Sequence, residues 1–166
     1  MYYVGILTIS DRGARGEYED RSGPLIATII SARTPWTVER QEIVADDTSL
    51  IAERLLAWCE LGVHLILTTG GTGFAPRDVT PEATRLVIER ETPGIAEALR
   101  AESLRVTKHA MLSRGVAGIR GQTLIVNLPG SPKAVRENLE VLLPVLPHAL
   151  ELITGSSASE AGHRNV

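Results

Sequence analysis

Two glycine-rich turns carry the residues of this chain best suited to chemistry. Each sits between an apolar run and a helix start. The first holds Thr69, Gly70, Gly71, Thr72 and Gly73; it follows the apolar residues 63–67 and precedes Arg77, Asp78, Thr80 and Pro81. The second holds Pro129, Gly130, Ser131 and Pro132. Glycine lets backbone N–H groups approach an anion closely, and a helix N-terminus adds unpaired donors and a favourable dipole. Both turns therefore read as phosphate cradles. Ligands of open α/β sheets bind at the carboxyl ends of the strands. Ser10 with Asp11, and Asp46 with Asp47, should reach the same place. Two carboxylates from separate loops, Asp46 and Asp78, suit Mg²⁺, a hard cation that takes oxygen ligands and phosphate together.

Each feature also has a plainer reading. A strand-to-helix turn needs glycine with no ligand present. Asp78 before a helix favours the dipole. One member of the Asp46–Asp47 pair caps the helix that begins near Thr48; with Asp47 as the cap, Asp46 is left facing the strand ends.

Other chemistries are excluded by spacing. A P-loop requires Gly-Lys-Ser/Thr, whereas Gly73 is followed by Phe74, Ala75 and Pro76. The dinucleotide fingerprint fails because Pro76 stands where a third glycine or alanine belongs. His64, His109, His148 and His163 have no zinc-ligand spacing and read as structural or solvated. Ser131 lacks a Gly-x-Ser-x-Gly setting and precedes proline, so it reads as a helix cap and anion donor.

These segments need a scaffold of alternating strands and helices. Residues 4–9, 37–44, 63–68 and 123–128 read as strands, and 115–120 as a strand or extended loop. Helices are expected at 22–32 and from Thr48 to Gly62. Others should start at Thr80-Pro81 and Thr92-Pro93, with the threonines as N-caps, and run to about Glu91 and Arg105. A long helix follows Pro132 to about Ile153, interrupted by Pro144 and Pro147. Continuously apolar strands between helices predict a three-layer α/β/α fold with a mostly parallel, Rossmann-like sheet. The chain has 166 residues, 43% hydrophobic and 22% charged, with net charge −3. That is an ordinary globular composition for one domain, at 1–154, with a loose tail at 155–166. The negative balance disfavours non-specific nucleic-acid binding. The single cysteine, Cys59, forbids an intrachain disulfide and reads as an inert thiol. No apolar run approaches the roughly 20 residues of a membrane span. The N-terminus lacks signal-peptide features, so the cytoplasm is expected.

Taken together, the chain resembles the molybdopterin adenylyltransferases of molybdenum-cofactor biosynthesis, bacterial relatives of the gephyrin G-domain. The resemblance rests on Ile9-Ser10-Asp11-Arg12, LTTGGTGFAPRDVTPEAT at 67–84, Met111-Leu112-Ser113-Arg114 and NLPGSPKA at 127–134, and it extends to about Ile153. It implies a Mg²⁺-dependent reaction of molybdopterin with ATP giving adenylyl-molybdopterin and pyrophosphate. It assigns Asp46 and Asp78 to catalysis and metal. Ser10, Asp11, Thr69, Gly70, Gly71, Thr72, Gly73, Ser113, Pro129, Gly130, Ser131 and Pro132 are assigned to the substrates. It implies a homotrimer and a molybdenum-inserting partner. A molybdopterin carrier without efficient turnover is the alternative.

Overall fold

Strands that are apolar on both faces need cover on both faces. The computed structural model, which describes residues 1–155, provides it with two helical layers. In chain order the elements are β1 (Tyr3–Ile9), α1 (Asp11–Ala14), α2 (Ser22–Arg33), β2 (Thr37–Val44), α3 (Thr48–Glu60), β3 (Leu65–Thr69), α4 (Thr80–Val87), β4 (Arg90–Glu91), α5 (Pro93–Val106), a 3₁₀ turn (Lys108–Leu112), β5 (Ala117–Arg120), β6 (Thr123–Leu128), α6 (Pro132–Leu142) and α7 (Leu146–Thr154). The sheet order is β2-β1-β3-β6-β5-β4. The first four strands run parallel, and β5 and β4 extend one edge through antiparallel pairs. This is the expected three-layer α/β/α architecture.

The two-residue period of the strands divides the core. Leu65, Leu67, Leu124 and Val126 pack with Ile26, Ile30, Leu139 and Leu150 under α2, α5, α6 and α7. Ile66, Ile125 and Leu7 face the other way, against Ile51, Leu55 and Trp58 under α3 and α4. Gly5 makes room for the indole: a Cβ there would fall 2.6 Å from Trp58 Cε3. Every residue of β3 and β6 is buried. The register pairs Ile9 with Val44, Thr8 with Thr69, and Thr69 with Leu128. Four parallel strands thus end level, and the loops leaving them share one rim.

Several local expectations change. The helix starting at Thr80 stops at Val87 instead of running to Glu91. Ile88 turns extended, and the chain pairs with β5 through Arg90 and Glu91. Gly118 allows this approach, since a Cβ there would meet Ile88 Cδ1 at 2.6 Å and Arg90 O at 2.8 Å. Thr80 is not a cap: it is the first helical residue, and its hydroxyl donates to Gly70 O. A tertiary bond displaces the local one. Thr92 precedes α5 as expected but makes no side-chain cap, and its Oγ1 is buried without a partner among the described residues. The long C-terminal helix is two helices, broken around Pro144, with Pro147 in the first turn of α7. Residues 115–120 resolve into the strand β5. The tail expected at 155–166, His163 included, lies outside the described residues except for Gly155, a left-handed C-cap.

One buried side chain ties the site end of the sheet together. Asn127 Oδ1 accepts from Val116 N, and Nδ2 donates to Thr68 Oγ1 and Thr84 Oγ1. Asn127→Leu keeps the volume and leaves Val116 N–H and Thr68 unpartnered. The expected loss is roughly 2–4 kcal/mol in urea unfolding at an unchanged m-value.

Candidate functional site

The level strand ends bring the two glycine turns side by side. Thr69 Oγ1 donates to Pro129 O at 2.7 Å, and Ser22 Oγ donates to Gly130 O at 2.7 Å. A Cβ on Gly130 would touch Gly70 Cα at 3.5 Å. Gly70 and Gly71 have φ of 97° and 66°, a region that penalises any other residue. Among the described residues, the backbone N–H groups of Gly71, Thr72, Gly73, Gly130 and Ser131 donate to no protein acceptor. Such N–H groups beside a helix N-terminus are anion donors. Ser131 caps α6 by accepting from Ala134 N at 3.2 Å, the role its setting predicts.

A cleft opens on each side of this junction. The larger, about 270 Å³, is lined by Thr72, Gly73, Ser113, Asn127 and Pro129, with Arg100, Ser103, Glu137 and Asn138 adding further polar groups. The smaller, about 200 Å³, is lined by Ser10, Thr69, Gly70, Gly130 and Pro132, with Tyr18, Asp20, Arg21 and Ser22. One loop, 69–73, contributes to both. Ser10 is also the N-cap of α1, accepting from Gly13 N.

The carboxylates lie against the same loop. Asp47 caps α3 by accepting from Leu50 N at 2.8 Å, which leaves Asp46 for the rim. Asp46 and Asp11 exchange bonds: Asp11 N donates to Asp46 Oδ2 at 2.8 Å, and Asp46 N donates to Asp11 Oδ1 at 3.0 Å. Arg77 grips both oxygens of Asp11, at 2.9 and 2.8 Å. A Cβ on Gly71 would fall 3.2 Å from Asp46 Oδ1, and one on Gly73 would fall 2.8 Å from Asp78 Oδ2. Asp78 Oδ2 accepts from Ala75 N at 3.0 Å. Among the described residues, Asp46 Oδ1 and Asp78 Oδ1 accept no hydrogen bond.

Burial first, and then the charges of Asp11 and Asp78, push the Asp46 carboxyl above its ordinary range, against the bond from Asp11 N. The bond from Arg77 holds Asp11 below it. The Asp46 environment is thus one that an added cation would relieve. No cluster of three His, Cys, Asp or Glu side chains suited to a metal occurs among the described residues. Two bare carboxylate oxygens beside open backbone N–H groups fit Mg²⁺, which is held by one or two carboxylates and completed by water and phosphate.

Other residues take no part. His64 accepts from Tyr3 N through Nδ1, at the opposite end of β3 from the rim, and burial lowers its pKa. Burial pushes the Cys59 thiol up, away from a reactive thiolate. His109, by contrast, lines the larger cleft. Sequence reasoning missed Asp20, which accepts from Thr8 Oγ1 and from Ser22 N and Gly23 N at the start of α2. It also missed Arg100 and Asn138. Arg77 and Arg114 stood inside quoted motifs, but their partners are set by tertiary structure alone.

Comparison with known proteins gives one answer. The family described as "Probable molybdopterin binding domain" matches residues 5–148. The molybdopterin adenylyltransferase of Helicobacter pylori (strain J99) is 46% identical over 156 residues, 93% of this chain and 89% of that protein. The gephyrin of Dictyostelium discoideum is 47% identical across 95% of this chain, which spans 23% of that longer protein. The crystal structure of the molybdopterin biosynthesis enzyme MoaB from Thermus thermophilus superposes with a TM-score of 0.88 at 55% identity, covering 94% of this chain and 98% of that one. The glycine rim and its carboxylates therefore sit in a member of a known family: this chain belongs to the molybdopterin-binding domain family.

Proposed function

We propose that residues 1–154 form one catalytic domain that adenylylates molybdopterin with ATP and Mg²⁺, giving adenylyl-molybdopterin and pyrophosphate. The observation that carries this reading is a single glycine loop with unbonded N–H groups shared by two clefts. That arrangement suits two anionic substrates meeting at one backbone. Relatives named molybdopterin adenylyltransferase support it.

The nucleophile is the terminal phosphate of molybdopterin, directed at the α-phosphorus of ATP. A phosphate monoester has its second pKa at about 6 and is largely ionised at pH 7, so no general base is needed. What the protein must do is align the two anions. The N–H groups of Gly71, Thr72 and Gly73 hold phosphate oxygens, and the capped start of α6 adds its dipole. Asp46 and Asp78 would hold Mg²⁺, which when bound neutralises charge on the leaving pyrophosphate. Arg77 keeps Asp11, and through it Asp46, in place. A cytoplasmic trimer that hands its product to a molybdenum-inserting partner belongs to the same proposal. An apolar strip of the exposed Val145 with the partly buried Ile95 and Val141 offers a surface for such an association.

Purified protein with molybdopterin, ATP and Mg²⁺ is expected to release pyrophosphate and form the adenylylated product. Tight molybdopterin binding with no pyrophosphate would assign a carrier instead. Asp78→Ala should lose most turnover while folding normally. Asp46→Ala should be more damaging to turnover than Asp47→Ala, whose effect is about 1 kcal/mol of stability from the lost cap.

Asp46→Asn separates charge from structure. Asparagine keeps an acceptor for Asp11 N. Because the folded protein raises the Asp46 pKa, the unfolded chain ionises first. Stability falls as pH rises from the ordinary 3.8 through the folded value. At pH 7 without divalent ions, Asp46→Asn is therefore expected to melt at or above the wild-type temperature, while its turnover falls at least about 100-fold. Adding Mg²⁺ should raise the wild-type melting temperature and leave that of the variant unchanged. A variant that melts well below wild type in EDTA would show that Asp46 is structural.

A further inference from the structure

The 3₁₀ turn and the loop after it form one wall of the larger cleft, through Leu112, Ser113 and Gly115. Arg114, in the middle of that wall, does not line the cleft. It binds the glycine loop instead. Its backbone N–H donates to Thr72 O at 2.8 Å. Nε donates to Gly73 O at 2.7 Å, and Nη2 donates to Asp78 O at 2.7 Å. Nη1 pairs with the Glu82 carboxylate in the first turn of α4, and this pairing holds Glu82 below its ordinary pKa. The side chain is only 32% exposed. Arg100 fixes the same wall by donating to Gly115 O at 2.7 Å.

The bonds of Asp78 show what this grip does. Its N–H donates to Ala75 O, and its Oδ2 accepts from Ala75 N. Both partners lie in its own turn. Among the described residues, the bond from Arg114 is the one hydrogen bond that ties Asp78 to anything outside that turn. A guanidinium is a rigid plane with its donors in fixed directions. Binding Gly73, Asp78 and Glu82 from one plane fixes the glycine loop, the carboxylate and the start of α4 relative to one another. The glycines cannot do this themselves, since they are the residues with most conformational freedom to lose.

We propose that Arg114 is the positioning residue for Asp78: it touches no substrate, and it sets where the Asp78 carboxylate stands relative to the phosphate cradle. This rests on the role given to Asp78 above. It also predicts that lysine is a poor substitute, because one ammonium cannot reach three acceptors held in a plane.

The test uses the full chain with Arg114→Lys and Arg114→Gln. In steady-state adenylylation, kcat is expected to fall about 10–100-fold, the usual effect of losing a group that orients a metal ligand. The KM values for ATP and molybdopterin should stay within about threefold, since no substrate contact is removed. The Mg²⁺ concentration for half-maximal rate should rise, more in Arg114→Gln than in Arg114→Lys. Hydrogen exchange in the absence of metal gives the independent readout: the bonded amides of Ala75, Asp78 and Thr80 should exchange faster, with β1 and β6 unchanged. Wild-type kcat and Mg²⁺ dependence in Arg114→Gln would overturn the proposal. So would exchange that rises evenly across the sheet, which would mark a general loss of stability. If the wild-type protein forms no adenylylated product, the functional reading fails, and the exchange comparison still decides whether Arg114 holds the loop.

Discussion

A glycine loop has no stiffness of its own, and this site is built on one. Each glycine costs roughly 0.5–1 kcal/mol more than alanine to order. Residues 70–73 must nevertheless stand still between two clefts. The rigidity comes from outside the loop. Thr69 ties it to the second turn, Thr80 holds Gly70 O and Gly71 O through its hydroxyl and its N–H, and Arg114 holds Thr72 O and Gly73 O. Most of the loop's carbonyls are thus engaged while its N–H groups are not. The loop is fixed by its acceptors, and its donors are left open. That division explains why Thr80 is not a helix cap and why α4 begins where it does.

The charges around the loop follow from the same constraint. A P-loop places a lysine among its phosphates, but here Gly73 is followed by Phe74, Ala75 and Pro76. The guanidiniums of Arg77 and Arg114 are both committed to protein partners. Asp11 is paired with Arg77, whereas Asp46 and Asp78 have no ion-pair partner among the described residues. Asp11 escapes the repulsion because Arg77 grips it, and its pKa drops; Asp46 is partly buried and its pKa rises. The two are bound to each other yet shifted in opposite directions, which leaves Asp46 as the oxygen donor most in need of a positive partner. Mg²⁺ suits that deficit, and it is the charge the proposed reaction lacks on the leaving-group side.

How far this was legible from the sequence depends on how local each feature is. Strand periodicity and apolar runs located the buried strands closely: β2 and β6 match the expected bounds, and β1 and β3 shift only slightly. Caps that bond within three residues were also readable, Asp47 and Ser131 among them. Failures began where a distant residue competed for a local partner. Thr80 gave its hydroxyl to Gly70, ten residues away, and Ile88 left the helix because Gly118 made space beside it. The site shows the same limit. Its glycines and acids declare themselves by type and spacing. Arg114 does not, since its role lies in contacts with residues 32 to 42 positions earlier.

The shared loop also decides between kinds of catalysis. Among the described residues, none at the rim is arranged as a nucleophile with a base. The serines present cap helices or line walls, and the histidine in the larger cleft hydrogen-bonds Thr107. The proposed reaction asks for no such pair, because its phosphate nucleophile is already ionised. The site can contribute by holding two phosphate groups on either side of one ordered backbone, where effective molarity replaces chemical activation. Such a mechanism asks for accuracy of position above all. The structure meets that demand through a rigid guanidinium at Arg114, paired strand ends and engaged loop carbonyls. Errors of placement, more than loss of any reactive group, are what would disable it.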